Sequence, residues 1–211
     1  MKIQIALDLT SLEDARAIMK DVYGYIDIVE IGMLFSYVGY EGYHVLKQEF
    51  PNVEYLIDQK VTDGGYFCTL EAAKHGAQYI TVVGATDIET VASAMKASKE
   101  TGVKVVIDML GVENLYEKTK QLDDLGVHYI NIHTPADLQA QGKTPFENLR
   151  LLNSIIKNSK VAVAGGINTE NIINILPYHP DIVIIGGALI KSENRREYAK
   201  KLKKIIEEYK G

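Results

Sequence analysis

Short apolar runs recur along the whole chain, and the stretches between them space their apolar residues as helices do. The runs fall at residues 3–8, 26–30, 54–58, 79–84, 104–108, 128–133, 161–164 and 181–185. Eight such runs, with room for a helix between each pair, predict alternating strands and helices and a parallel sheet. Leu12, Ala15, Ile18, Met19 and Val22 share one helical face behind Ser11, a candidate N-cap with Asp14 three residues on. Asp87 or Thr86 is placed to cap the helix after the fourth run, with Val91, Ala94, Met95 and Ala97 inside it. Asn168 or Thr169 is placed to cap a helix carrying Ile172, Ile173 and Ile175. Residues 194–210 carry Tyr198, Leu202, Ile205, Ile206 and Tyr209 at helical spacing, and the lysines there read as a solvated face whose stems lie on the core. No linker, repeat or low-complexity tract interrupts the pattern. It predicts one domain over residues 1–211, a small (β/α)8 TIM barrel, since such barrels typically run to about 250 residues.

In a barrel of this kind the chemistry gathers at the C-terminal ends of the strands. Here those ends carry Asp8, Glu30, Asp58, Asp108 and His133, with Lys60 and Asp63 just beyond Asp58. In period-two geometry Asp58 and Lys60 point the same way. A lysine held between carboxylates stays protonated, which suits an oxyanion stabiliser better than a Schiff-base nucleophile. The bland reading is a surface Lys60 and an Asp63 that caps the next helix. Glu30 closes so apolar a run that it needs a partner or a metal. With Asp58 on the neighbouring strand, it forms a two-carboxylate site that suits Mg²⁺ completed by substrate oxygens and water. A simple Glu30–Lys60 pair is the competing reading.

His133 as a neutral imidazole is a candidate general base near pH 7. His44, His75, His128 and His179 read as structural or exposed. The last two runs lead into Gly165-Gly166 and Gly186-Gly187-Ala188, loops in which such barrels commonly bind phosphate through backbone amides. Asp8 is placed to accept hydrogen bonds from substrate hydroxyls. Residues 134–148, with Pro135, Gly142 and Pro145, make a longer connection than the fold needs; it is either a lid or a plain insertion.

Composition narrows the function further. Hydrophobic content of 46% and charged content of 24% are those of a globular protein, and no apolar stretch reaches the roughly 20 residues of a membrane span. The N-terminus enters the first run at once, so no signal peptide is expected. Cys68 alone forms no intramolecular disulfide and fits a reducing, cytoplasmic setting. A net charge of −5 argues against a nucleic-acid partner, although an acidic chain still binds small anions through local amides. A phosphate grip facing a Lys, a His and several carboxylates predicts a sugar phosphate and an enediolate-type intermediate, reached by proton abstraction or decarboxylation beside a carbonyl.

Asp58-x-Lys60-x-x-Asp63 matches the D-x-K-x-x-D signature of the orotidine-phosphate decarboxylase suprafamily, and the chain resembles that suprafamily over nearly its whole length. Within it the chain is most similar to two sister families, the 3-hexulose-6-phosphate synthases and the 3-keto-L-gulonate-6-phosphate decarboxylases. The resemblance implies a Mg²⁺-dependent lyase acting on a sugar phosphate. Glu30 and Asp58 would hold Mg²⁺, Lys60 would stabilise the enediolate and His133 would move the proton. Asp8 and Asp108 would face the substrate, and Gly165, Gly166, Gly187 and Ala188 the phosphate. Asp63 would reach into a partner's site across a homodimer interface.

The stretch after His133 separates the sisters. The decarboxylase pattern has an Arg at the position of Ala136, whereas Thr134, Asp137, Gln139 and Ala140 agree with the synthase pattern. Pro135 stands where the synthases usually have Gly and stiffens the segment. Ala188 brings no side-chain cation, where the decarboxylase pattern has Arg. The expected reaction is aldol addition of formaldehyde to D-ribulose 5-phosphate. Decarboxylation of 3-keto-L-gulonate 6-phosphate is the first alternative. A pentulose-phosphate 3-epimerase would want a His-x-Asp-type metal motif that the chain lacks. A non-catalytic sugar-phosphate sensor would have no need of Asp58, Lys60, Asp63 and His133 together.

Overall fold

A computed structural model describes residues 1–209. Its eight strands are β1 (Lys2–Ala6), β2 (Ile28–Ile31), β3 (Glu54–Val61), β4 (Tyr79–Val83), β5 (Lys104–Asp108), β6 (Tyr129–His133), β7 (Lys160–Ala164) and β8 (Ile182–Ile185). All are parallel, each pairs with the next, and β8 pairs with β1, so the sheet closes into a barrel in sequence order. The helices are α1 (Leu12–Val22), α2 (Phe35–Glu49), α3 (Gly65–Lys74), α4 (Ile88–Thr101), α5 (Leu115–Leu125), α6 (Ala136–Gln139), α7 (Phe146–Asn153), α8 (Gly187–Ile190) and α9 (Arg195–Glu208). The expected (β/α)8 TIM barrel is the observed architecture, and among the described residues no helix is long and apolar enough to cross a membrane.

Strand alternation sorts the side chains into two cores. Ile3, Ile5, Val29, Ile31, Ile57, Ile80, Val105, Ile130, Val163 and Val183 point outward and pack against the helices. Their neighbours Ala6, Ile28, Leu56, Tyr79, Val106, Tyr129, Ala162, Ile182 and Ile184 fill the barrel. Each strand buries both faces, so the runs read as nearly continuous apolar stretches. At the N-terminal mouth Lys2 pairs with Glu54, and the Tyr79 hydroxyl donates to Glu54 at 3.0 Å. These contacts cover the N-terminal end of the barrel, and a polar cavity lies at the C-terminal ends of the strands.

Several boundaries differ from expectation. Asp8 lies two residues beyond β1, Glu30 lies within β2, and β3 continues three residues past Asp58. Ser11 caps α1 as expected, its Oγ accepting from Asp14 N at 3.2 Å. Asp87 occupies the N-cap position of α4 without a side-chain bond, and the Thr86 hydroxyl instead donates to Thr62 O at 2.6 Å. The helix expected around Ile172–Ile175 is replaced by two 3-10 turns, Ile172–Asn174 and Leu176–Tyr178. Asn168 Oδ1 does start a turn, accepting from Glu170 N and Asn171 N, but Pro177 follows too soon for an α-helix to grow. Asn194 caps α9 by accepting from Glu197 N; the expected helix end at Lys210 lies outside the described residues.

Candidate active site

The inward positions that follow the barrel core toward its open end are polar. Gln4 and Asp8 come from β1 and its loop, Glu30 from β2, and Asp58 and Lys60 from β3. Thr81 comes from β4, Asp108 from β5, and Asn131 and His133 from β6. They line one cavity of about 400 Å³, rimmed by Gly165, Gly166, Gly186, Gly187 and Ala188. A cavity of that size holds a small, largely enclosed ligand.

Lys60 is brought in by an irregularity that strand periodicity did not predict. The pairing of β3 with β4 shifts register between Ile57 and Val61, and Lys60 adopts φ +47°, a left-handed conformation costly for a side-chain-bearing residue. Its Nζ pairs with Asp58 Oδ2 and lies 3.6 Å from Asp108 Oδ2. Thr81 holds the bulge from the next strand: its Oγ1 accepts from Lys60 N at 2.9 Å and donates to Asp58 Oδ1 at 2.7 Å. Burial alone would lower the Lys60 pKa; Asp58 and then Asp108 outweigh it and hold the ammonium charged well above the ordinary lysine range. Lys60 is therefore held as a half-exposed cation between two carboxylates at the cavity wall.

Glu30 does not pair with Lys60. Its Oε2 accepts from Gln4 Nε2 at 2.6 Å. Desolvation, then the negative charges of Asp58 and Asp8, push its pKa well above the usual carboxylate range. Gln4 Oε1 and Asn131 Oδ1 are buried here with no hydrogen-bond donor. Crowded carboxylates beside undonated oxygens fit a hydrated hard cation. Among the described residues, no three His, Cys, Asp or Glu side chains enclose a metal by themselves. Glu30 and Asp58 with water and substrate oxygens are the kind of partial shell that Mg²⁺ accepts.

His133 Nδ1 lies 3.0 and 3.1 Å from the two oxygens of Asp108. Asp8 is set by the β2–α2 loop: its Oδ1 accepts from Met33 N at 2.9 Å, and a Cβ on Gly32 would collide with the same oxygen. Gly165 and Gly166 have φ +111° and +68°, and a Cβ on Gly165 would lie 2.8 Å from Thr134 Cβ. The long segment after His133 folds into α6 and seats Gln139 over this loop, its Nε2 donating to Thr134 O at 2.8 Å. In α8 the backbone bonds begin at Leu189 N and Ile190 N, both to Gly186 O, so the amides of Gly187 and Ala188 remain for a ligand.

Asp63 is the one expected site residue outside the cavity. It is exposed, and its Oδ1 accepts from Gly64 N at 2.7 Å, while Gly64 itself is the N-cap of α3. Gln4, Thr81 and Asn131 were missed as site residues. Counting back in twos from Asp8 and His133 would have found Gln4 and Asn131. Of the other histidines, His44 and His75 bond each other at 2.9 Å and His128 accepts from Val105 N, all away from the cavity. A wider, shallower groove of about 860 Å³ runs between the loops after β4 and β5 and α5. It carries scattered charges of both signs, among them Glu113, Lys118 and Asp124, and none of the cavity's cluster.

Residues 1–202 match the model of the "Orotidine 5'-phosphate decarboxylase / HUMPS family". A 3-hexulose-6-phosphate synthase of Bacillus subtilis (strain 168) is 38% identical over 207 residues, 98% of this chain and 99% of the relative. The crystal structure of 3-hexulose-6-phosphate synthase from Salmonella typhimurium superposes with a TM-score of 0.96 at 33% identity, covering 100% of both chains. A 3-keto-L-gulonate-6-phosphate decarboxylase structure from Vibrio cholerae superposes at 0.85 with 29% identity, covering 100% of this chain and 99% of that one. The chain thus belongs to the orotidine 5'-phosphate decarboxylase / HUMPS family.

Proposed function

We propose that this chain is a Mg²⁺-dependent lyase of the aldehyde-lyase kind, adding formaldehyde to D-ribulose 5-phosphate to give D-arabino-3-hexulose 6-phosphate. The observation that carries the reading is the coupled set Asp58, Lys60, Asp108 and His133 in one cavity with two glycine loops on its rim. The synthase relatives support the choice of reaction.

The amides of Gly166, Gly187 and Ala188 bind the phosphate, and Asp8 accepts from a substrate hydroxyl. His133, with Nδ1–H directed to Asp108, takes a C1 proton of the pentulose phosphate on Nε2. The electron pair left at C1 delocalises into the C2 carbonyl, giving a cis-enediolate whose oxygens face the Lys60 ammonium. C1 then attacks the formaldehyde carbon, a C–C bond forms, and the new alkoxide takes the proton back from His133. Glu30 and Asp58 would hold Mg²⁺, which when bound supplies a hard Lewis acid for the substrate oxygens. Decarboxylation of 3-keto-L-gulonate 6-phosphate would pass through the same enediolate, but Ala136 supplies no cation where the decarboxylase pattern carries Arg.

A homodimer belongs to this reading. Tyr37 and Phe67 stand on the first turns of α2 and α3, after the neighbouring strands β2 and β3, and are 61% and 65% exposed; Met33 beside them is 48% exposed. Apolar groups exposed at the starts of helices that follow neighbouring strands suit contact with a second copy, across which Asp63 would reach the partner's cavity.

Steady-state turnover with Mg²⁺ tests the function, comparing ribulose 5-phosphate plus formaldehyde with 3-keto-L-gulonate 6-phosphate. A much higher kcat/KM for formaldehyde addition is expected. Preference for the keto acid would replace the synthase reading with the decarboxylase one.

A further inference from the structure

We propose that Lys191 is the cation that grips the substrate's phosphate, standing in for the charge that position 188 lacks; the proposal rests on the phosphate-ester reading above. Lys191 is the C-cap of α8 and lines the same cavity as Lys60 and His133. Helical side chains lean toward the helix N-terminus and lie over the residue four positions earlier. For Lys191 that residue is Gly187, and a Cβ built there would touch Lys191 Cε at 4.0 Å. Because Gly187 has no side chain, the lysine stem runs back across it, toward the free amides of Gly187 and Ala188.

Charge in the cavity makes this position matter. Asp8, Glu30, Asp58 and Asp108 line it against two cations, Lys60 and Lys191. Lys60 is committed to Asp58 and Asp108. Among the described residues Lys191 has no carboxylate within ion-pair distance. Any Mg²⁺ held by Glu30 and Asp58 would likewise be committed to carboxylates, so a dianionic phosphate at the glycine loops still needs a free cation beside the amides. Lys191 is that cation, and the charge-assisted hydrogen bond it can make is of the strong class. Lys191 thereby selects phosphorylated over neutral ketoses, by a side chain one turn later than the Arg of the decarboxylase pattern.

The test measures kcat, both KM values and competitive inhibition by inorganic phosphate for the wild type, Lys191→Ala and Lys191→Arg, in low and high salt. For Lys191→Ala, KM for ribulose 5-phosphate should rise about tenfold or more and inhibition by phosphate should weaken in parallel. The KM for formaldehyde should hold, kcat should stay within about threefold, and Lys191→Arg should restore most of the loss. High salt should narrow the gap between wild type and Lys191→Ala. Unchanged KM and phosphate inhibition in Lys191→Ala overturn the role of Lys191. So does a fall of kcat together with a rise of both KM values, equal in the two variants, which marks a structural lysine. A wild type that does not turn over ribulose 5-phosphate with formaldehyde overturns the parent reading instead.

Discussion

His133 presents Nδ1 to both carboxylate oxygens of Asp108, at 3.1 Å to Oδ1 and 3.0 Å to Oδ2. A carboxylate accepts only, so the tautomer that fits this contact carries its proton on Nδ1 and leaves a lone pair on Nε2, the nitrogen that would act as base in the proposed reaction. Asp108 is almost wholly buried and also faces Lys60, so it orients the imidazole and anchors the cation together. Asp108→Asn keeps the shape but lets the amide donate to Nδ1, favouring the wrong tautomer. Exchange of the C1 proton with deuterated solvent, followed by NMR without formaldehyde, should slow by about 10²–10⁴. Wild-type exchange in the variant would remove His133 from the role of base.

Thr81 is a positioning residue for the same cluster. It bonds the backbone of Lys60 and the side chain of Asp58 at once, across a bulge in which Lys60 is held at φ +47°. Thr81→Val retains the shape and removes both bonds, so Asp58 and Lys60 should lose register with the substrate. kcat should fall on the order of 10- to 100-fold while KM for the phosphate ester changes little, and Thr81→Ser should restore most of it. A Ser variant as impaired as the Val variant would show that the methyl group's packing matters and the hydroxyl does not.

In the proposed lyase, Glu30 would make Mg²⁺ binding depend on pH. Its native pKa is raised, by burial first and then by Asp58 and Asp8, so the proton stays on to a higher pH than in an ordinary glutamate. A raised carboxylate favours the fold below its unfolded pKa, and that contribution is lost as pH rises through the native value. A bound cation needs the ionised form, so proton and metal compete. Apparent Mg²⁺ affinity should therefore fall as pH falls, and Mg²⁺ should raise Tm most at pH values above the native Glu30 pKa. Glu30→Gln should lose both effects. Mg²⁺ activation that is equal across the pH range, or intact in the Gln variant, would place the metal elsewhere.

Much of this was legible in the chain, for physical reasons that differ by residue. Asp108 and His133 close regular strands, so alternation alone aims them inward, and the glycine loops follow β7 and β8 where the fold requires turns. The juxtaposition of Asp58 and Lys60 was anticipated, but from a regular strand; the structure achieves it through a bulge set by a hydrogen bond from a different strand. Long-range bonds of that kind leave no periodic trace. Gln4 and Asn131 sat unnoticed in apolar runs because a single polar residue does not disturb the pattern. The segment Ile172–Ile175 looked helical from its isoleucines, and Pro177 outweighed them.

The loss of stability in acid should depend in part on Asp123, far from the site. This carboxylate, on the last turn of α5, is buried and accepts from three successive amides: Lys157 N at 2.9 Å, Asn158 N at 3.0 Å and Ser159 N at 2.8 Å. It thereby fixes the turn that feeds β7. Burial on its own would raise the Asp123 pKa; the amides of Ser159, Lys157 and Asn158 outweigh it and hold it below the ordinary value. A lowered carboxylate contributes its full stability above the unfolded pKa of about 3.9 and loses it as pH falls through the native value. Asp123→Ala leaves the three amides without their acceptor and should cost about 2–3 kcal/mol at neutral pH. Denaturant unfolding of the wild type and variant should show that gap above pH 5 and its progressive closure toward pH 2, with ordinary sugar-phosphate KM in the folded variant. A gap that stays constant over that range would mean that Asp123 holds the turn by packing and not by charge.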